Sequence, residues 1–317
     1  GAVAAAAGQA ATHAADGGTV RPVLAGVVFL AASGALFAAI LRERLPRYDD
    51  PLVLVLVGLL LWLLSELEPA LSGPELAAAL GVMIALGYAS YALETASVAG
   101  MLAGVLLGLL TIVLGGWGWF AVLISFFAIG GLSTKYRYAE KAARGVAEDN
   151  DGARGSANVF SNSAVALVAV LGYAASDASV LGVDTLAFQY AFAGAVATAL
   201  ADTLSSEIGG VFDRPRLITT LEPVEPGTDG GVTWQGEIAG TAGATVVAAI
   251  TAVAFPAVGP VGFGVIVLAG VAGMTVDSVL GATIEGPRVG NQGVNFVATI
   301  AGAALAAFAA SSAGLMS

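Results

Sequence analysis

Ten apolar stretches separated by short polar segments set the pattern of this chain. They run over 22–41, 51–71, 74–93, 96–115, 117–132, 157–175, 185–207, 237–256, 261–284 and 292–312. A helix needs roughly 20 apolar residues to cross a bilayer core, within a range of about 17–25. Most of the stretches meet that length; the fifth is short. The pattern predicts an all-α fold, a polytopic transmembrane bundle of about ten helices.

The position of charge tests the count. Arg42, Arg44 and Arg47 follow the first stretch, and Lys135, Arg137, Lys141, Arg144 and Arg154 follow the fifth. Arg214 and Arg216 follow the seventh, and Arg288 follows the ninth. If ten helices alternate in direction, all these segments fall on one side. The opposite segments carry Glu66, Glu68, Asp177 and Asp184 and, apart from Arg21 at the start, no Lys or Arg. Basic loops stay in the cytoplasm, so this side is expected to be cytoplasmic and both termini outside. A count of eight, with two helices fewer in 74–115, keeps the same parity.

Composition agrees with a membrane protein. Hydrophobic residues make up 57% and charged residues 11%, against about 25% charged in soluble domains; the mean hydropathy is +0.88. The net charge is −11, with 23 acidic residues and only two lysines, Lys135 and Lys141. An acidic, lysine-poor surface points to a high-salt host. Nucleic acid is excluded as a partner, because no dense basic stripe exists. Cysteine is absent, which removes disulfides and thiolate metal sites. The first 20 residues are rich in Ala and Gly and contain the single histidine, His13, which is expected to be an inert tail residue. They show no basic region ahead of an apolar one, so no signal peptide is read here. Gly100, Gly104 and Gly108 repeat at a four-residue spacing, which reads as a helix-packing seam.

Polar residues inside apolar stretches are costly and usually face the bundle interior. Five clusters stand out, all on the basic side. The first is the loop from Thr134-Lys135-Tyr136-Arg137 through Lys141 and Arg144 to Asp149, Asp151 and Arg154, either an orientation-setting loop or a surface for a phosphorylated substrate. In the second, Asn158 and Asn162 share a helix face at i,i+4; Asn158 fits a helix cap, but Asn162 lies a turn deeper. The third is Asp202-Thr203 with Ser206 and Glu207. A carboxylate here suits Mg²⁺, which takes one or two carboxylates plus phosphate oxygens, although Glu207, about 1.4 turns on, points partly away from Asp202. The fourth, Arg214 and Arg216 through Thr219 to Gly227-Thr228-Asp229-Gly230-Gly231, offers glycine turns that can cradle an anion, but it matches neither nucleotide fingerprint. The fifth is Asp277-Ser278 through Gly281 and Thr283 to Glu285, followed by Asn291 and Asn295. Asp202-Thr203 pairs with Asp277-Ser278, and Asn158-x3-Asn162 with Asn291-x3-Asn295; this is either a weak internal repeat or coincidence.

In this order the clusters carry a resemblance. Asp202-Thr203 with Ser206-Glu207-x-Gly209, Arg216-Leu217-Ile218-Thr219-Thr220, Pro226-Gly227-Thr228-x-Gly230-Gly231-Val232 and Asp277-Ser278-x-Leu280-Gly281-Ala282-Thr283 resemble the signature of the membrane family that contains plant phytyl-phosphate kinase and many uncharacterised bacterial and archaeal members. Lys135 through Asn162 is similar to its basic loop, and Asn291-x3-Asn295-Phe296 to its C-terminal motif. The resemblance covers about 74–317, leaving 1–73 as a tail with two variable helices. It implies phosphorylation of a prenyl monophosphate to the diphosphate. An acidic, archaeal-type host would suit geranylgeranyl phosphate. The chain is more distantly similar to CTP-dependent dolichol and phytol kinases and to membrane cytidylyltransferases.

These readings combine into one expectation. Asp202 and Asp277, with Glu207 as a further ligand candidate, hold Mg²⁺. Asn158, Asn162, Asn291 and Asn295 orient phosphate oxygens or metal-bound water. Lys135, Arg154, Arg214 and Arg216 neutralise charge, and Thr219, Gly227, Thr228, Gly230, Gly231 and Ser278 line the substrate and nucleotide sites. The partners are an isoprenoid phosphate, ATP or CTP, and membrane lipid. Phosphoryl transfer asks for positioning and charge neutralisation more than covalent chemistry, so the lack of a core histidine is no objection. A CTP-dependent prenol kinase, a CDP-lipid-forming cytidylyltransferase, or a transporter or flippase using the weak symmetry and in-span carboxylates are the alternatives.

Overall fold

The computed structural model describes residues 20–45, 50–67, 69, 71–147, 152–178, 181–286 and 289–316, without the side chains of 20–23 and 44. His13, Arg47, Glu68, Asp149, Asp151 and Arg288 lie outside the described residues, as do the side chains of Arg21 and Arg44.

Among the described residues, ten long helices form where the apolar stretches predict them. They are α1 (Val20–Arg44), α2 (Asp50–Glu66), α3 (Gly73–Ala92), α4 (Val98–Gly115) and α5 (Trp117–Ser125, carried on by a π turn over Phe126–Gly130 and a last turn to Ser133). A short α6 (Tyr138–Ala143) follows, then α7 (Ser156–Asp177) and α8 (Thr185–Gly209). Two short strands, β1 (Arg216–Leu217) and β2 (Gly231–Val232), pair antiparallel before α9 (Trp234–Ala254), α10 (Gly259–Thr283) and α11 (Asn291–Ser312). Helix α2 ends at Glu66, five residues before its apolar stretch does.

Helix starts are written locally. Ser72 and Glu75 close a capping box on α3, in which each side chain satisfies a backbone N–H of the other's turn. Ser97, Asp184 and Thr233 cap α4, α8 and α9 by accepting from the amides of Gly100, Leu186 and Gly236. Gly116, at φ +92°, turns the chain between α4 and α5.

Helices α1, α3, α4, α7, α9, α10 and α11 are each long and apolar enough to cross a bilayer. Helices α2 and the α5 run are shorter. Helix α8 is long but carries Thr, Ser, Asp and Glu along its second half. It tolerates them because α7, α9, α10 and α11 surround it; every residue from Phe192 to Ala201 is buried. The outer faces hold what lipid accepts: Leu54, Trp62, Ile84, Val253, Leu268 and Phe308 are all exposed. Apolar side chains on such a surface face hydrocarbon rather than water.

The central helix is narrow. A Cβ placed on Gly194 would stand 2.5 Å from the carbonyl oxygen of Gly302 and 2.6 Å from Ala306. Thr198 sits wedged between Gly273 of α10 and Gly302 of α11. Without a hydrophobic force between helices in lipid, such close backbone contact supplies the packing energy.

The polar ends gather at one end of the bundle. Phe37, Ile40 and Leu41, at the end of α1, lie beside the start of α7. Lys141 of α6 meets Glu207 at the end of α8. Gly230, before β2, packs on Gly281 near the end of α10. The segments after α1, α5, α8 and α10 therefore share an end, as the charge parity requires.

Gly194→Val should destabilise the bundle by about 1–3 kcal/mol, the usual cost of overpacking. The check is thermal unfolding of detergent-purified protein: a lowered midpoint is expected for Gly194→Val. Gly81→Val, where no heavy atom lies within 4 Å of the added Cβ, should leave the midpoint in place. Equal midpoints for both would contradict the close-packing account.

Candidate functional site

Asp202 lies seven residues before the end of α8, and Asp277 six before the end of α10. Because α8 and α10 pack side by side, the two carboxyl groups come within hydrogen-bonding reach of each other. Carboxylates so close repel unless a proton or cation lies between them.

Amides surround the pair. In the orientation that satisfies its neighbours, the Asn295 amide donates to Asp277 Oδ1 at 3.1 Å and to Asn291 Oδ1 at 2.8 Å. Its oxygen accepts from Asn162 Nδ2 at 3.1 Å. Amide orientation is assigned from such networks. Asn162 also donates to the carbonyl of Asn158, one turn earlier, at 3.0 Å. The two Asn-x3-Asn motifs thus meet through Asn162 and Asn295, both buried, while Asn291 is exposed at the start of α11.

A cation lies beside the acids. Arg154 is buried at 5% exposure, and its charge acts on Asp202. Its Nη2 donates to Thr203 Oγ1 at 3.2 Å and to the carbonyl of Gly130 at 3.4 Å. Its guanidinium carbon lies 5.1 Å from the Phe126 ring centre, within cation–π range. The π turn in α5 supplies both Phe126 and Gly130; such turns recur at functional sites. The backbone is pinned as well: Arg154 N donates to Thr95 O at 3.1 Å, and Ser97 N donates to Arg154 O at 3.0 Å.

Two further carboxylates face this centre: Glu285 closes the fifth cluster and Glu237 follows the fourth, and neither carries a role from the sequence. Glu237, in the first turn of α9, and Glu285, just beyond α10, both act on Asp202. One buried oxygen of Glu237 has no hydrogen-bond partner among the described residues. Burial first, and the Asp229 carboxylate second, push Glu285 above the ordinary glutamate range. Among the described residues no three acidic or histidine side chains converge as a metal cage. The donor set fits Mg²⁺, which is bound through one or two carboxylates and completed by water and phosphate oxygens. Asp202 and Asp277 are the two carboxylates that could hold such an ion.

Glu207 does not join the aspartates. It forms a buried ion pair with Lys141, which also donates to the carbonyls of Thr134 at 2.9 Å and Ser133 at 3.3 Å. The five-residue offset from Asp202 turns it that way. Lys141 therefore ties the 134–146 segment to α8.

The glycine loop packs more than it cradles. The N–H of Gly231 goes to the Thr228 carbonyl at 2.8 Å, and that of Thr228 to Glu225 at 3.2 Å. Gly230, at φ +73°, rides over α10, where a Cβ would stand 2.5 Å from both Ser278 O and Ala282 Cβ. Ser278 itself donates to the Met274 carbonyl at 3.3 Å. Arg214, Thr219, Gly227 and Thr228 are exposed on this segment. Exposed Arg216 donates to the Leu221 carbonyl at 2.6 Å within the same loop. Lys135 is half-buried at the end of α5. The structure thus brings together Arg154, Asn158, Asn162, Asp202, Asp277, Asn291 and Asn295, and leaves Arg214, Arg216, Thr219, Gly227 and Thr228 on the outer loop.

The chain is similar to several known proteins. Residues 81–303 match the family described as "Integral membrane protein DUF92". An uncharacterised membrane protein of Synechocystis is 33% identical over 199 residues, 60% of this chain and 73% of its own length. An uncharacterised membrane protein of Methanocaldococcus jannaschii is 31% identical over 209 residues, 64% of this chain and 81% of its own. The chloroplastic Arabidopsis thaliana protein VTE6 is 34% identical over 149 residues, 45% of this chain and 43% of its own. No solved structure matches the chain.

Lys141→Met should cost about 3–5 kcal/mol, because it leaves Glu207 buried without its partner. The double change Lys141→Met with Glu207→Met should recover most of that loss. Thermal unfolding of the three variants in detergent decides it; a double variant no better than the single would show that the pair does not hold the segment.

Proposed function

This chain belongs to the integral membrane protein family DUF92, and from that premise we propose that it is a phosphotransferase moving a phosphoryl group from a nucleoside triphosphate to an isoprenoid monophosphate. The resemblance of its motifs to the family of plant phytyl-phosphate kinase supports the reaction class. The contact between Asp202 and Asp277, framed by Asn162, Asn295 and Arg154, is the observation that carries it. The site lies at the basic end of the bundle, which the positive-inside rule puts at the cytoplasm. There a soluble nucleotide meets a phosphate anchored in lipid.

Each residue has a task. Asp202 and Asp277 would hold Mg²⁺, which when bound neutralises charge on the transferring phosphoryl group. The Asn295 amide orients Asp277 and is held by Asn162 from behind, so the carboxylates are set before substrate arrives. Arg154, kept in place by Thr203, Gly130 and Phe126, neutralises the acceptor phosphate. A phosphate monoester is already ionised near neutral pH, so its oxygen attacks without a strong base. Positioning and electrostatics supply most of the rate in such transfers. Asn291, exposed at the rim, and the outer-loop residues Arg214, Arg216, Thr219, Gly227 and Thr228 serve the nucleotide side.

The test uses purified protein in nanodiscs with Mg²⁺, geranylgeranyl phosphate and either γ-labelled ATP or labelled CTP. Label in prenyl diphosphate is the expected result, lost on chelation. A CMP adduct would instead assign a cytidylyltransferase, and substrate crossing liposomes without nucleotide would assign a transporter. Asp202→Asn and Asp277→Asn should each lower kcat by at least about 100-fold, on the scale of losing one charge-stabilising group. Full turnover in either variant would remove the metal assignment.

A further inference from the structure

A groove runs along the outside of the bundle between α3, α4 and α5, and it ends at Arg154. Met83, Gly87, Gly104, Val105, Phe120 and Phe127 form much of its wall. The lining is almost wholly apolar, apart from Ser90, Thr95 and Arg154 near one end.

The glycine stripe of α4 explains the shape. A Cβ on Gly108 would strike Phe120 and Met83, and one on Gly100 would strike the Arg154 backbone. At Gly104, midway between them, a Cβ would meet nothing within 4 Å. The stripe is therefore packed at both ends and open in the middle. A continuous packing seam, as the spacing alone predicts, would have filled that position. Beside the groove, Ile84, Tyr88 and Tyr91 of α3 are exposed, so the mouth borders the lipid-facing surface.

Resting on the phosphotransferase reading above, we propose that this groove holds the hydrocarbon chain of the isoprenoid phosphate, with the phosphate drawn to Arg154 at its inner end. Charge selects the occupant. A neutral lipid tail fills an apolar groove anywhere, but a buried guanidinium at one end favours a chain that carries an anion. The same guanidinium bonds Thr203, the neighbour of Asp202. A phosphate held there stands next to the aspartate pair while its tail leaves sideways through α3–α5. Methyl branches suit walls built from glycine gaps and the adaptable thioethers of Met83 and Met101.

Two measurements test the groove. The first is photo-crosslinking of the native chain in nanodiscs with a diazirine-tagged geranylgeranyl monophosphate, mapped by peptide mass spectrometry. Crosslinks on α3–α5 groove residues, displaced by excess unlabelled geranylgeranyl phosphate but not by geranylgeraniol, are expected. Crosslinks elsewhere, or displacement by geranylgeraniol as readily, would mean ordinary membrane lipid fills the groove and would overturn the proposal. The second is Gly104→Phe, which narrows the middle of the groove. The ratio of kcat/KM for geranylgeranyl phosphate over geranyl phosphate should fall at least about tenfold. An unchanged ratio would also overturn it. Groove crosslinks without any phosphoryl transfer would sink the kinase reading and leave the groove assignment standing.

Discussion

The structure depends on how closely helix α8 is approached by its neighbours. Glycines on α8 and α11 and the wedge of Thr198 let backbones touch. Lipid offers no hydrophobic drive for this association, so the fit of small residues does the holding. That fit fixes where the ends of α8 and α10 fall, and hence that Asp202 meets Asp277. A helix pair held by bulky side chains would keep the two carboxyls too far apart to meet.

The same constraint explains the second layer. Charges inside a bilayer need partners, and the chain supplies two kinds. Lys141 and Glu207 pair with each other and staple the segment after α5 to the bundle. Arg154 is tied to Thr203 and Gly130 and faces the aspartates, so its charge remains directed at the site. One buried cation serves architecture and the other faces the two aspartates. The apolar groove that ends at Arg154 links that charge to the surrounding lipid.

Much of this was legible from residues alone, for physical reasons. Most of the apolar stretches repeat the bilayer thickness in length, so ten helices could be counted. Charge parity placed the polar clusters at one end, and helix periodicity put Asn158 with Asn162 and turned Glu207 away from Asp202. What stayed hidden depends on contacts between distant segments. Arg154 reads as one of several charge-neutralising loop residues; that it alone of them is buried against α5 and α8 comes from the fold. Glu237 reads as an ordinary first-turn acid until α9 is set against α8. The glycines near 230 read as an anion cradle, yet one of them serves the approach of the loop to α10. Gly104 reads as packing until the space beside it is seen.

The central claim is that Asp202 and Asp277 together hold a divalent cation that the phosphoryl group requires. The most direct measurement is an electron paramagnetic resonance titration with Mn²⁺ in place of Mg²⁺, on purified protein in nanodiscs with nucleotide present. The account predicts one tightly bound Mn²⁺ per chain, with affinity lowered at least about tenfold in both Asp202→Asn and Asp277→Asn, since each removes one of two carboxylate ligands. Mn²⁺ binding of equal strength in the native chain and both variants would contradict it.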